Sequence, residues 1–111
     1  MKFVQVLLLG RDILEKEVRD TILKTMANGQ AMDILEITVN SPKSALEISS
    51  STNIPLTQVY RWVRKLHKYG FLRVSGATNE SGKKYFMYQS KVKSIKITLN
   101  TMPLSQIEIM G

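Results

Sequence analysis

An α+β fold, mainly helical, is what this sequence predicts, and three observations predict it. Apolar residues recur at spacings of three and four in successive stretches between Asp12 and Tyr69, the period of helices that bury one face. After Gly70 the pattern shifts to short runs rich in β-branched and aromatic residues, separated by polar loops with Gly, Ser, Asn or Pro, as in hairpins. With 111 residues, 43% of them apolar, the chain has the size of one ordinary domain and enough hydrophobic content to fold as a single globular unit.

Taken in order, Phe3 to Leu9 is an almost unbroken apolar run that fits a buried strand or a helical extension; the reading leans to helix, although Gly10 weakens it. Residues Asp12 to Asn28 set Ile13, Leu14, Val18, Ile22, Leu23 and Met26 on one helical face, with Asn28-Gly29 as a stop. A second helix covers Gln30 to Val39, burying Met32, Ile34, Leu35 and either Ile37 or Thr38, and Asn40-Ser41-Pro42 breaks it. The third begins at Ser44, whose hydroxyl and the Glu47 carboxylate three residues on can satisfy the free amides of a first turn. After the interruption Thr52-Asn53-Ile54-Pro55, a fourth helix runs from Pro55 or Leu56 to Tyr69, with Val59, Val63 and Leu66 inward and Gly70 as its end. Residues Phe71 to Val74 and Lys84 to Gln89 predict a hairpin with a long polar tip, and Val92 to Leu99 with Gln106 to Met110 predict a second, C-terminal hairpin.

Charge points to a polyanion. The formal net charge is +7, and its placement is uneven: residues 53–98 hold ten Lys or Arg against the single carboxylate Glu80, leaving +9 there and −2 over the rest. The absence of cysteine excludes disulfides, thiolate metal sites and cysteine nucleophiles, and fits a cytoplasmic protein. The only long apolar run is too short to span a bilayer, so neither a signal peptide nor a membrane role is expected. An enzyme is not expected either: His67 is the sole histidine, the carboxylates from Asp12 to Asp20 have the spacing of a solvated helix face, and no glycine loop for phosphate is present. No cofactor or metal is implied.

The order of a short helix from Ser44 to Ser51, a tight turn, a longer basic helix and a hairpin is that of a winged helix-turn-helix, here with an N-terminal helix before it and a C-terminal β-hairpin after it. Leu46 and Ile48 would brace Val59, Val63 and Leu66, leaving the opposite face of the fourth helix free for the major groove of double-stranded DNA. Leu56, Thr57, Gln58, Tyr60, Arg61, Arg64, Lys65 and Lys68 are the candidate contacts, Gln58 suiting adenine and Arg61 guanine. In the wing, Lys83, Lys84 and Thr78, with Asn79 and Ser81, would meet phosphate. A basic helix alone is more often a solvated face; the brace, turn and hairpin around this one favour the functional reading.

The segment from Ser44-Ala-Leu-Glu-Ile through Thr57-Gln-Val-Tyr-Arg-Trp-Val-Arg-Lys-Leu-His-Lys-Tyr-Gly-Phe-Leu-Arg-Val resembles winged-helix regulators of the ArsR and MarR type over roughly half the chain, with Thr57, Val59, Tyr60, Arg61, Val63, Leu66, Gly70 and Leu72 in the family's pattern. The tail from Lys91 is similar to small archaeal members. The resemblance implies a DNA-binding transcriptional regulator. Metal-sensing relatives carry cysteines on the bracing helix, where this chain has Leu46-Glu-Ile-Ser-Ser-Ser, and many end in a dimerising helix, where this one has strands. On this reading residues 1–43 complete the core and dimerise, 44–89 form the DNA-binding unit, and 90–111 add the terminal strands. The partners expected are double-stranded DNA and a second copy of the chain, with any small-molecule effector unspecified. The competing reading is a winged helix that contacts other proteins within an assembly, and RNA binding is a third, kept open by Tyr60, Trp62 and Tyr85.

Overall fold

A computed structural model describes residues 5–6, 11–12, 16–99 and 105–110, with side chains from 20 to 94. The order of elements is β1 (Gln5–Val6), β2 (Arg11–Asp12), α1 (Lys16–Met26), α2 (Gly29–Thr38), β3 (Lys43–Ser44), α3 (Ala45–Thr52), α4 (Leu56–Lys68), β4 (Leu72–Thr78), β5 (Lys84–Ser90), β6 (Ser94–Leu99) and β7 (Ser105–Met110). The α+β class and the C-terminal hairpin, β6 against β7, follow the sequence pattern.

The helical part forms because each helix has both a buried stripe and a local end signal. Ile22 of α1, Ile34 and Leu35 of α2, Ile48 of α3, and Val59, Val63 and Leu66 of α4 are all buried in one cluster with Phe71 and Leu72. Removing each such side chain from water contributes roughly 1.5–3 kcal/mol. Asn28 does more than stop α1: its side-chain oxygen accepts from the amides of Gln30 at 2.9 Å and Ala31 at 3.2 Å, so it caps the start of α2. Of the two alternatives at the end of α2, Thr38 is fully buried and Ile37 only partly. The Thr38 hydroxyl donates to the Ile34 carbonyl at 2.8 Å and accepts from the Ser90 amide at 3.1 Å, a buried link from α2 to β5.

Two sheets are present among the described residues. The first is antiparallel, in the order β3-β5-β4, and its β4–β5 ladder runs from Leu72 opposite Ser90 to Thr78 opposite Lys84. β3 has no sequence signature: two residues extend past Pro42 and pair with β5 as Lys43 opposite Tyr88 and Ser44 opposite Met87. The second sheet has the order β2-β1-β7-β6. Here the reading of the N-terminus is corrected, because Gln5–Val6 is a strand and not part of a helix; it pairs parallel to β7 and antiparallel to β2. The rest of Phe3 to Leu9 lies outside the described residues, as do Ile13 and Leu14. Asp12, expected at the start of the first helix, belongs to β2, and the helix begins at Lys16. Among the described residues no helix is long and apolar enough to cross a membrane.

Candidate nucleic-acid interface

The start of α3 is fixed twice. Ser44 pairs in the ladder with Met87 and also caps the helix, its hydroxyl accepting from the Glu47 amide at 3.2 Å while the Glu47 carboxylate accepts from the Ser44 amide at 2.9 Å. That backbone hydrogen bond is the main reason the Glu47 carboxyl is held below its ordinary value; desolvation opposes it, and the Ser44 side chain and then Lys43 add to the lowering. Ala45 and Ile48, three apart, are the buried residues of this short helix. Leu46, expected to brace α4, is 65% exposed; it lies about a quarter-turn or more round the helix from both of them and points away from the core.

The turn to α4 is stiffened by side chains. The Ser49 hydroxyl donates to the Ile54 carbonyl at 2.6 Å, and Thr52 donates to the Ile48 carbonyl at 2.6 Å and accepts from the Ile54 amide at 3.3 Å. Asn53 takes the left-handed conformation at φ 61° and donates to the Ser49 carbonyl, a geometry asparagine tolerates better than most residues. Ile54 is buried beneath the turn, and Pro55 then starts α4 with a carbonyl that accepts from Gln58 and Val59.

With Val59, Val63 and Leu66 locked inward, the faces of α4 are settled. Thr57, Arg61, Arg64 and Lys68, spaced by three and four, form one exposed stripe. Tyr60 and His67 flank it toward β4 and β5. On the other flank, Trp62 donates its indole N–H to the Gln30 side chain at 3.0 Å and carries Lys65 over its ring at 5.3 Å, which ties Lys65 to the α2 side. Two predicted contacts are set back: Gln58 is half-buried, and Leu56 turns inward to pack against the core rather than facing solvent.

The β4–β5 hairpin stands beside α4. Its tip is organised by Asn79, whose side-chain oxygen accepts from the amides of Ser81 at 3.0 Å and Lys83 at 2.9 Å and from the Ser81 hydroxyl at 2.7 Å, while Gly82 supplies the positive φ of 82°. Asn79 and Ser81 are therefore occupied in shaping the loop instead of being held out for phosphate. Thr78, Lys83 and Lys84 are exposed at the tip.

A groove of about 1020 Å³ runs between the start of α3, Tyr60 of α4 and the outer half of the hairpin, and Lys83 and Lys84 line it. A smaller hollow of about 220 Å³ continues it along α4, between Tyr60, Arg64 and His67 on one side and Val74, Phe86 and Tyr88 on the other. At its floor, burial pushes the Tyr88 phenol up, with Tyr60 adding to the effect and the Arg64 guanidinium opposing it. Tyr60, Arg64, Lys83 and Lys84 thus meet along one channel, next to the stripe with Arg61 and Lys68. Arg73 does not join them: it pairs with Gln89 in the ladder and, by strand alternation, lies on the other face of the hairpin from Val74 and Tyr88. Lys96 lies outside the described side chains.

Sequence reasoning singled out Tyr60 and Tyr85 but missed that Leu46 and Phe86 join them along this channel. Leu46, Tyr60, Tyr85 and Phe86 are the exposed large hydrophobics among the described residues, and all four line the groove. A signal was available in Lys84-Tyr85-Phe86-Met87-Tyr88, a strand with aromatic residues on both faces although only one face can reach the core. Among the described residues no cluster of His, Asp or Glu is placed to hold a metal ion. Comparison with protein-family models, curated proteins and solved structures finds no match to this chain.

Proposed function

We propose that the chain is a winged helix-turn-helix protein, of the ArsR and MarR kind, that binds double-stranded DNA sequence-specifically and regulates transcription in the cytoplasm. α4 is the recognition helix, set in the major groove, and the β4–β5 hairpin is the wing on the phosphate backbone. The observation that carries this reading is the stripe of Thr57, Arg61, Arg64 and Lys68, held outward by three buried aliphatics on the opposite face of the same helix and continued by Lys83 and Lys84 on the hairpin. The basic residues in the last turn of α4 also favour the helix dipole, which accounts for Lys65 and Lys68 but not for Arg61. A homodimer belongs to the proposal, since two recognition helices related by a two-fold axis read two half-sites.

The test is binding to random-sequence and selected duplexes over a range of salt. Four neutralised phosphates, one each for Arg64, Lys68, Lys83 and Lys84, correspond to a slope of log K against log salt of roughly −3.6. A flat dependence, or no duplex binding at low salt, overturns the proposal. In that case the second reading gains, a winged helix that docks on another protein, favoured by the exposure of Leu46 and Phe86.

A further inference from the structure

We propose that the groove between α4 and the β4–β5 hairpin receives unpaired bases, so that the DNA preferred by this chain is a duplex with a locally opened segment. This rests on the reading that the chain binds DNA, and names which DNA.

Single apolar residues scattered over a surface need no explanation, whereas a contiguous exposed group does. Leu46 at 65%, Phe86 at 62%, Tyr60 at 45% and Tyr85 at 39% exposure line one groove from three different elements, with Tyr85 alternating to the other face of β5 from Phe86. The strand register leaves Phe86 uncovered, because its partner across the ladder is Gly76. A side-chain carbon placed at Gly76 meets no atom within 4 Å, so the space beside the Phe86 ring is open. The groove's volume of about 1020 Å³ exceeds what a drug-sized ligand such as one nucleotide requires, roughly 300–1,000 Å³ for a typical pocket.

The chemistry around these rings selects the occupant. Lys83 and Lys84 border the groove and Arg64 shares its continuation with Phe86, so cations stand on both sides of the aromatic surface. Glu47 also lines the groove, with its carboxylate engaged by the Ser44 amide. A paired duplex can use the cations, but its bases already stack on one another and offer a wing their edges and the backbone, which leaves the faces of these rings without a stacking partner. An apolar peptide segment can use the rings but leaves the cations without partners. An unpaired nucleotide uses both, a base face on aromatic carbon and a phosphate on lysine or arginine.

The experiment compares three DNAs by fluorescence anisotropy at one salt concentration: a duplex, the same duplex with a central mismatched bubble, and one of its strands alone. The proteins are the full chain and its Phe86→Ala, Phe86→Leu, Phe86→Tyr and Gly76→Val variants, each checked for an unchanged thermal midpoint. Stacking of one base corresponds to at least about fivefold in affinity. The expected result is a bubble preference of that size or more over the duplex, lost in Phe86→Ala, Phe86→Leu and Gly76→Val and kept in Phe86→Tyr. Duplex binding with no bubble preference overturns this inference and leaves the regulator reading standing. A preference that survives in Phe86→Leu also overturns it, because an aliphatic side chain supplies apolar area without a π face. Binding to the single strand and bubble but not to the duplex supports the groove assignment and overturns the duplex reading. Binding to none of the three overturns both and points to a protein partner for Leu46 and Phe86.

Discussion

The indole N–H of Trp62 donates to the side-chain oxygen of Gln30 at 3.0 Å, joining α4 to α2 across 32 positions of sequence. The bond lies on a flank of the outward stripe and adds a polar tie to the orientation that the buried Val59, Val63 and Leu66 give this helix. Gln30→Ala leaves a partly buried donor without its partner and should cost about 1 kcal/mol; Trp62→Phe removes the donor and part of a large packed ring and should cost more. The two changes share one interaction, so their effects on the urea midpoint should be less than additive in a double-mutant cycle. Additive losses would show that the bond contributes nothing beyond packing.

Leu46 and Ile48 make a sharp pair because they are neighbours with opposite fates. Ile48 is fully buried, and Ile48→Ala should cost about 2–5 kcal/mol by loss of burial and the cavity left behind. Leu46 is 65% exposed, and Leu46→Ser should stay within about 0.5 kcal/mol. Equal losses from the two substitutions would put Leu46 back in the brace where the apolar pattern first placed it.

That misplacement shows where the sequence stops being informative. Signals that act over three or four residues were readable: Ser44 with Glu47 as a capping box, Gly70 with its positive φ of 81° at the end of α4, and the inward set Val59, Val63 and Leu66. In an eight-residue helix, by contrast, Ala45 and Ile48 suffice for the core face, and nothing local says which larger neighbour is left over. β3 and β1 exist only through partners far away in sequence, Lys43–Ser44 through β5 and Gln5–Val6 through β7, and an unbroken apolar run carries no period from which to choose strand over helix. For the site, the cations of α4 and the hairpin were legible because charge must face water. The gathering of Leu46, Tyr60, Tyr85 and Phe86 was not, since it depends on how α3, α4 and β5 come together.

The capping box predicts a pH dependence of stability. Glu47 accepts the Ser44 amide as a carboxylate, so its folded-state value lies below the ordinary 4.5. A depressed folded-state value means that the contribution is fully present above the ordinary value and is lost as pH falls through the folded one. Glu47→Gln keeps an acceptor but cannot titrate, so the gap between wild type and variant in urea midpoint should hold at neutral pH and close as the pH falls below the ordinary carboxylate value and through the lowered folded-state one. Ser44→Ala should cost about 1 kcal/mol at neutral pH. A gap that stays constant with pH would place the Glu47 charge outside the cap.

The division of labour between α4 and the hairpin can be separated by which DNAs each variant loses. Arg61 lies on the outward stripe one turn into α4, where a guanidinium can meet the edge of a guanine with two hydrogen bonds. Arg61→Ala should cost about 1–3 kcal/mol on the selected sequence and little on random duplex, so the specificity ratio falls. Lys83 and Lys84 sit at the tip of a loop shaped by Asn79 and offer point charges without a base to read. Replacing both by Ala should weaken selected and random duplexes alike and flatten the slope of log K against log salt by about 2. Asn79→Ala removes the acceptor that gathers Ser81 and Lys83 and should reproduce part of the uniform loss with the salt slope kept, because the charges remain while their positions spread. A sequence-selective loss from the lysine pair would mean that the hairpin, and not α4, reads the bases.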